Sequence, residues 1–364
     1  MNFIKKTAAA ALVIVLMIPV INGCAKNMGK SLLGKAGGGD KQLTRYDAQF
    51  LDLFDTVTSI VGYAGDKESF TAFAQEFHDE LEQYHQLYDI YNDYEGINNL
   101  KTVNDNAGIA PVKVDQRIID LLLTAREMDQ KTGERMNVAM GSVLSIWHEY
   151  RTAGIGDPAH ALLPPMEELK NAGRHTDIDK MVIDEEHSTV YLEDEQMSLD
   201  VGAIAKGYAT EKVCEKLEAD GFTHALISVG GNVRAIGAKD DGGPWKVGIQ
   251  NPDMEASEKY IHSVNVVDRS LVTSGSYQRY YTVDGKTYHH IIDPDTLMPS
   301  ERYLSVTVLC RDSGIADAMS TALFNMELEE GQALVNSMEA TEAMWILPDG
   351  MEEYSEGFRS YMEK

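Results

Sequence analysis

Three cysteines in 364 residues, at positions 24, 214 and 310, are too few for a disulfide framework, and no CxxC or Cys/His metal spacing occurs. Basic residues are scarce as well: 32 Lys and Arg stand against 58 Asp and Glu, a formal net charge of −26. A surface that acidic argues against nucleic acid and against broad contact with anionic lipid. The Walker pattern GxxxxGK[ST] and the GxGxxG of a dinucleotide-binding turn are both missing. No internal repeat is evident. What remains is globular in character, with 43% hydrophobic and 25% charged residues. The length suits one large domain or two intertwined ones.

The N-terminus is read apart from the fold. Lys5 and Lys6 precede an apolar run, Thr7 to Val20, too short to span a bilayer comfortably, and Ile21-Asn22-Gly23-Cys24 follows. This resembles the lipobox of a bacterial lipoprotein, which implies a signal peptide over 1–23 and lipidation of Cys24. Asn22 is uncommon in such a box, and the alternative is a plain signal peptide cleaved nearby. Losing residues 1–23 removes two lysines and no acids, leaving a net charge of −28. Membrane attachment would then come from acyl chains on Cys24, placing the protein outside the cytoplasm. Residues 24–44 read as a Gly-rich tether with four lysines, and 45–364 as the folded domain.

The organising stretch is Ser198-Leu-Asp-Val-Gly-Ala-Ile-Ala-Lys-Gly-Tyr-Ala-Thr210, between a β-like run at 188–192 and a helical run at 208–219. Strand, glycine turn and helix present backbone N–H groups and a helix N-terminus to an anion, and Lys206 adds a mobile positive charge. The alternative is an ordinary βα connection with a solvated lysine.

Around it, 50–63 reads as a strand and 67–90 as a long amphipathic helix, with Phe70, Phe73, Phe77, Leu81, Tyr84 and Tyr88 on one stripe. Residues 91–108 read as an Asn-rich loop, 115–131 as a helix, and 136–150 as a turn running into a helix that carries Trp147. Residues 151–175 read as an excursion. Short strands fit 181–184, 189–192, 225–229, 233–236, 245–249, 260–267, 273–275, 288–292 and 344–347, and helices fit 315–326 and 328–338. Gly230-Gly231-Asn232 between two strands is a hairpin signal. Strands and helices mix without regular βαβ alternation, so the fold class is α+β. Cys214 and Cys310 fall in apolar contexts and read as buried thiols.

Three groups bear on chemistry. In Tyr288-His289-His290-Ile291-Ile292-Asp293-Pro294, adjacent histidines on a strand point to opposite faces and cannot chelate one ion. One of them facing a site, with Asp293 to orient it, suits acid–base work near neutral pH; a plain strand histidine is the alternative. Asp317 and Thr321 share a helix face as hard oxygen ligands suited to magnesium bound jointly with phosphates, or are ordinary polar residues of a helix start. Arg279 among tyrosines could pair with phosphate, stack on a ring or lie solvated.

Taken in order, the Asn-rich loop, GAIAKG, GGN, SGSYQR, HHIIDP and ADAMSTA resemble the ApbE family of FAD:protein FMN transferases, over roughly Phe50 to Leu347. The resemblance implies an α+β flavin transferase fold, with mixed sheets, flanking helices and an FAD cleft between two intertwined subdomains. The implied reaction takes FAD as substrate with Mg²⁺, esterifies FMN to a threonine hydroxyl of an acceptor protein, and releases AMP. By that resemblance Asp317, Thr321, the Ala203 carbonyl and Ser320 hold the metal. Asp200 and Lys206 contact the dinucleotide, and Phe54, Tyr94, Asn104, Met136, Asn137 and Val138 line the FAD cleft. His290 is the catalytic histidine, acting alone or through Asp293, and Ile291 touches the flavin nucleotide. Implied acceptors are exported subunits of redox complexes, such as RnfG- or NqrC-like proteins, or other extracytosolic flavoproteins. Two departures stand out: Leu297 occupies the place of a glycine common in the family, and Asn98-Asn99 that of Ser-Glu. An FAD pyrophosphatase giving free FMN and AMP, and a flavin-binding lipoprotein without catalysis, are the competing functions.

Overall fold

A computed structural model describes residues 43–363. The expected signal peptide, Cys24 and all but the last two residues of the tether lie outside the described residues. The chain enters on β1 (Thr44–Phe50) and β2 (Thr58–Ala64), paired antiparallel from Thr44 opposite Ala64 to Phe50 opposite Thr58. The strand expected over 50–63 is therefore the last residue of β1, a bend over 51–57 and most of β2. Between the strands the chain bends through Phe54 and Asp55 at φ of 53° and 50°, a left-handed conformation that cannot continue a strand.

Next come α1 (Lys67–Tyr88), α2 (Leu100–Asp105), β3 (Val112–Lys113), α3 (Gln116–Lys131), α4 (Gly141–Gly156) and α5 (Met166–Ala172). The Asn-rich loop thus contains a helix, opened by Asn99, whose side chain accepts from Thr102 N while the Thr102 hydroxyl caps Asn99 N in return. The excursion at 151–175 is largely helical too. β4 (Met181–Asp184) and β5 (Thr189–Leu192) join β3 in a small antiparallel sheet, and α6 (Ala205–Ala219) follows. The remainder is β6 (Ala225–Val229), β7 (Asn232–Ile236), β8 (Trp245–Gln250), β9 (Tyr260–Val266), β10 (Ser270–Gly275), β11 (Tyr280–Val283), β12 (Lys286–His289), β13 (Ser305–Cys310), α7 (Ser313–Phe324), α8 (Leu328–Ser337), β14 (Glu342–Ile346) and β15 (Glu352–Tyr354).

Eight strands form one antiparallel sheet in the order β1-β2-β6-β7-β10-β13-β14-β15. Spatial order never departs from chain order, so the sheet is a meander and every other element is an insertion into one of its connections. Along the strands, side chains alternate between two cores. Ile60, Ile227, Val272, Val306, Val308 and Trp345 face a layer containing α1, α3, α6 and α7. Leu271, Leu309, Met344 and Ile346 face the β8–β9 hairpin, which contributes Trp245, Val247, Val264 and Val266. A third cluster, around Trp147, Leu169, Tyr281 and Ile292, seats α4 on the β11–β12 hairpin. Cys214 and Cys310 are buried and unpaired, as expected. Among the described residues no helix is long and apolar enough to cross a membrane.

Candidate active site

The organising stretch is stitched into place by backbone and one side chain. Gly141 N donates to Ser198 O at 2.9 Å and Asp200 N to Val138 O at 2.8 Å. Asn104 inserts its amide between them as a mock strand partner, accepting from Leu199 N at 2.7 Å and donating to Leu199 O at 2.9 Å. Asn137 accepts from Ala139 N and donates to Thr176 O, while Met136 and Val138 are buried in the core. Asn104, Met136, Asn137 and Val138 therefore come together as the frame that fixes Leu199 and Asp200; what Met136 and Val138 can offer a ligand is backbone. Asp200 in turn accepts from Gly202 N at 2.8 Å, turning the chain towards α6.

That helix starts at Ala205, three residues before its expected start, so Lys206 and Gly207 lie in its first turn rather than ahead of it. Its N-cap, Ile204, has no capping side chain. The cap arrives from α7: Asp317, 4% exposed, accepts the Gly207 N–H at 2.8 Å. Lys206 Nζ stands 3.6 Å from the same carboxylate oxygen and 3.3 Å from Gly202 O. Glycine at 207 is a steric necessity. A Cβ there would sit 2.2 Å from Ser313 O and 2.5 Å from Asp317 Cβ, both parts of the adjoining helix.

The donor set expected for magnesium is gathered here. The N–H of Gly207, which would otherwise close the turn on the Ala203 carbonyl, goes to Asp317, and among the described residues no backbone amide outside regular helix and strand bonding donates to Ala203 O. Thr321 is half-buried, with Oγ1 3.5 Å from the Ser274 hydroxyl. Ser320 is different: it is fully buried, and its hydroxyl donates to Asp317 O and pairs with Ser274 Oγ, both at 2.8 Å. It props Asp317 and Ser274 rather than opening to a ligand. A carboxylate, a hydroxyl and a free carbonyl are hard oxygen donors, and the arrangement fits a magnesium-like cation.

The two histidines separate cleanly. His289 is structural: its Nε2 lies 2.7 Å from Ser300 O, its Nδ1 accepts from Ile291 N at 3.2 Å, and its ring meets Phe324 edge-on. His290 lies one residue past the end of β12, so the strand expected to run to Ile292 stops short of it. Its Nδ1 is buried without a hydrogen-bond partner. Burial, then the charges of Arg279, His289, Arg151 and Lys206, hold its pKa well below the usual histidine value, so the imidazole is neutral.

Asp293 does not orient His290 in this structure. Its carboxylate, 1% exposed, accepts from Asp295 N at 2.8 Å and Thr296 N at 3.1 Å, and its other oxygen pairs with the Arg302 guanidinium. These bonds fold the Asp293–Leu297 turn. Leu297 has φ of 59°, so the backbone is in the region that favours glycine, and its carbonyl accepts from Trp147 Nε1 at 2.9 Å. Ile291 is 5% exposed, packed in the core.

Phe54 and Tyr94 meet over His85. Phe54 N donates to His85 Nδ1 at 3.3 Å; Tyr94 OH donates to Asp89 at 2.8 Å and lies 3.4 Å from His85 Nε2. Burial and Asp89 push the Tyr94 phenol up to about 12. Burial raises the Asp89 carboxyl, but hydrogen bonds from Asn92, Tyr91 and Tyr94 outweigh it and hold the group below its usual range. An open cleft of about 360 Å³, lined by Arg135, Asn137, Met140, Arg174, Asp177 and Asp295 among others, adjoins the frame; of the expected residues it holds only Asn137.

The family model for the ApbE family matches residues 54–345. The chain belongs to the ApbE family. An FAD:protein FMN transferase of Treponema pallidum is 35% identical over 265 residues, covering 69% of this chain and 71% of that protein. One from Klebsiella pneumoniae is 32% identical over 266 residues, 72% of this chain and 80% of its own length. The crystal structure of the ApbE protein of Thermotoga maritima has a TM-score of 0.77 at 26% identity, covering 88% of this chain and all of that one. The flavin transferase ApbE of Vibrio cholerae shares the fold with a TM-score of 0.72 at 24% identity, over 87% of this chain. The α+β ApbE fold expected from sequence is the one observed. Within that fold the sequence reading missed Arg151, on α4, as a neighbour of the site, and took in Ser274, on β10, only as part of the SGSYQR motif with no role of its own; being one of few cations in an acidic chain is the only signal Arg151 carries.

Proposed function

We infer that this chain is an FAD:protein FMN transferase. The observation that carries the reading is the joining of α6 to α7: within the family match, a buried Asp317 caps the helix N-terminus beside Lys206, near a neutral, unpartnered His290. Asp317, Thr321 and the Ala203 carbonyl are the residues that would hold Mg²⁺, which when bound neutralises charge on the FAD pyrophosphate. The chain's own groups do the rest. Lys206 and the N–H groups opening α6 bind and orient the pyrophosphate. His290, neutral because its surroundings disfavour a cation, takes the proton from the attacking threonine hydroxyl of the acceptor. The hydroxyl oxygen bonds to the FMN phosphorus, the bond from that phosphorus to the bridging oxygen breaks, and AMP leaves with the bridging oxygen. Asp293 acts on this only by folding the turn that follows His290.

The leader resembling a lipoprotein signal supports anchoring through lipidated Cys24 on the outer side of the cytoplasmic membrane. Acceptors are then exported flavoproteins, among them RnfG- or NqrC-like subunits.

The test incubates residues 24–364 with FAD, Mg²⁺ and an exported acceptor. Transfer appears as a fluorescent flavin band on a denaturing gel, with one AMP per band. His290→Ala is expected to abolish the band while FAD still binds. AMP and free FMN without any band, across several acceptors, would mean water is the acceptor and the protein is a pyrophosphatase. FAD bound with neither product would leave only flavin binding.

A further inference from the structure

Arg279 and Arg151 are assigned no part in the reading above, although the charges of both act on His290. Arg279 immediately precedes β11. The last β11–β12 pair is Tyr280 with His289, so Arg279 and His290 are the next residues beyond the same end of the hairpin. Arg151 comes from the other side of the same hairpin. α4 is seated on β11 so closely that a Cβ on Gly154 would lie 2.5 Å from the Tyr281 ring. Arg151 Nη2 lies 3.1 Å from His148 Nδ1, and the His148 ring lies 5.5 Å from that of Tyr91.

Among the described residues no carboxylate forms an ion pair with either arginine, in a chain with 58 acidic residues to choose from. Arg151 is half-buried, and burial and then the charge of Arg279 draw its proton affinity down. Lys206 is 14% exposed and carries a third positive charge into the same neighbourhood of His290. Asp317 partners Lys206 and Asp200 acts on Arg151 from further away, but neither arginine has a carboxylate in ion-pair contact; like charges gathered with so little neutralisation are unfavourable, and a multiply charged anion relieves them.

We propose that Arg151 and Arg279 form a two-sided clamp on the FAD pyrophosphate, completing with Lys206 the charge complement of the α6 N-terminus. The clamp deepens the transferase reading and rests on it. Guanidinium groups give paired, directional hydrogen bonds to phosphate oxygens, which a lysine does not. Set beside His290, they hold the phosphorus that the acceptor hydroxyl attacks and take up the charge that builds on the departing AMP phosphate. Both touch substrate in this role, so both are binding and transition-state groups rather than props of the fold.

The experiment measures equilibrium binding of FAD and of riboflavin to the wild-type protein and to Arg279→Ala, Arg279→Lys, Arg151→Ala and Arg151→Lys, with urea unfolding as the control for folding. Riboflavin shares the flavin ring and lacks the phosphates. The clamp predicts that each alanine variant loses about 10- to 100-fold in FAD affinity, that riboflavin affinity stays within twofold, and that the lysine variants fall between. It also predicts a shallower dependence of FAD affinity on salt in the alanine variants. Unchanged FAD affinity in all four variants overturns the clamp, as does an equal loss for riboflavin. A rise in the acceptor KM with FAD binding intact also overturns it, moving the arginines to the acceptor. A wild-type protein that binds no FAD removes the transferase reading itself, a result distinct from any variant effect.

Discussion

Replacing Gly207 with alanine sets two physical effects against each other. In an exposed helix the change gains about 1 kcal/mol, because alanine loses less backbone freedom than glycine. Here the new methyl would lie 2.2 Å from Ser313 O and 2.5 Å from Asp317 Cβ. The obstacle is the body of α7, not the end of a flexible side chain, so α6 and α7 must part by about an ångström. Overpacking of this kind costs about 1–3 kcal/mol. Parting the helices also breaks the 2.8 Å bond from Gly207 N to the Asp317 carboxylate, a charged hydrogen bond worth about 1.5–3 kcal/mol. The net expectation is a loss of about 1.5–5 kcal/mol, read as a lower urea midpoint at constant slope. FAD transfer should fall further than stability does, since the displaced group is the carboxylate at the centre of the site. Gly156→Ala is the control, because a Cβ on this exposed last residue of α4 meets nothing within 4 Å; it should be neutral or stabilising by up to about 1 kcal/mol. A Gly207→Ala midpoint equal to or above wild type would refute the close approach of the two helices.

Asp129 is 2% exposed with Oδ1 unpaired, and burial followed by repulsion from Glu134 and Asp179 raises its carboxyl to about 6. A carboxyl whose folded pKa is raised stabilises the fold most when protonated, so its contribution is full below about pH 4 and declines as pH rises to about 6. Asp129→Asn should therefore raise stability at pH 7 by about 1–3 kcal/mol and remove that pH dependence; an asparagine variant no more stable at pH 7 than at pH 4 relative to wild type contradicts this. Asp293→Asn keeps an oxygen to accept from Asp295 N and Thr296 N but leaves Arg302 without its partner. It should destabilise by about 2–4 kcal/mol while leaving the acid limb of the pH–rate profile in place. A shift of that limb by a full unit would make Asp293 the partner of His290 after all.

Only part of the sheet was legible: β2, β6, β7 and β14 show as β-branched and apolar runs bounded by turn residues, whereas β1 and β15 were not expected, nor was β13, which is buried on both faces and carries no period-2 alternation. The helix stripe Phe70, Phe73, Phe77 and Leu81 was legible from its helical spacing. The start of α6 was misplaced by three residues because local capping rules look for a side chain at Ile204, whereas the cap is Asp317, 110 residues from the Gly207 amide that it caps. The helix at 100–105 escaped notice because it buries only Leu100 and Val103, too few to show a period. The expected Asp293–His290 pair rested on nearness in sequence. In the fold that distance is overridden by a turn that needs the carboxylate for its own amides and by Arg302, nine residues on.

The acidity of the chain and the anionic character of its substrate look opposed, and their reconciliation is a matter of range. A net charge of −26 spread over the surface acts through water and salt, and is largely screened beyond about 8 Å at physiological ionic strength. It repels extended polyanions, which must approach over a wide area. A pyrophosphate is small enough to enter where the local field is positive. Lys206 and Arg151, both partly buried, and the more exposed Arg279 supply that field, the first two from positions where a charge is screened least. Burial first, and then these three charges together with His289, hold the His290 pKa down, so the groups that attract the phosphates also help keep the base able to accept a proton. Removing any of them should therefore weaken FAD binding and raise the histidine pKa together, a coupling that neither charge scarcity nor motif order could have shown.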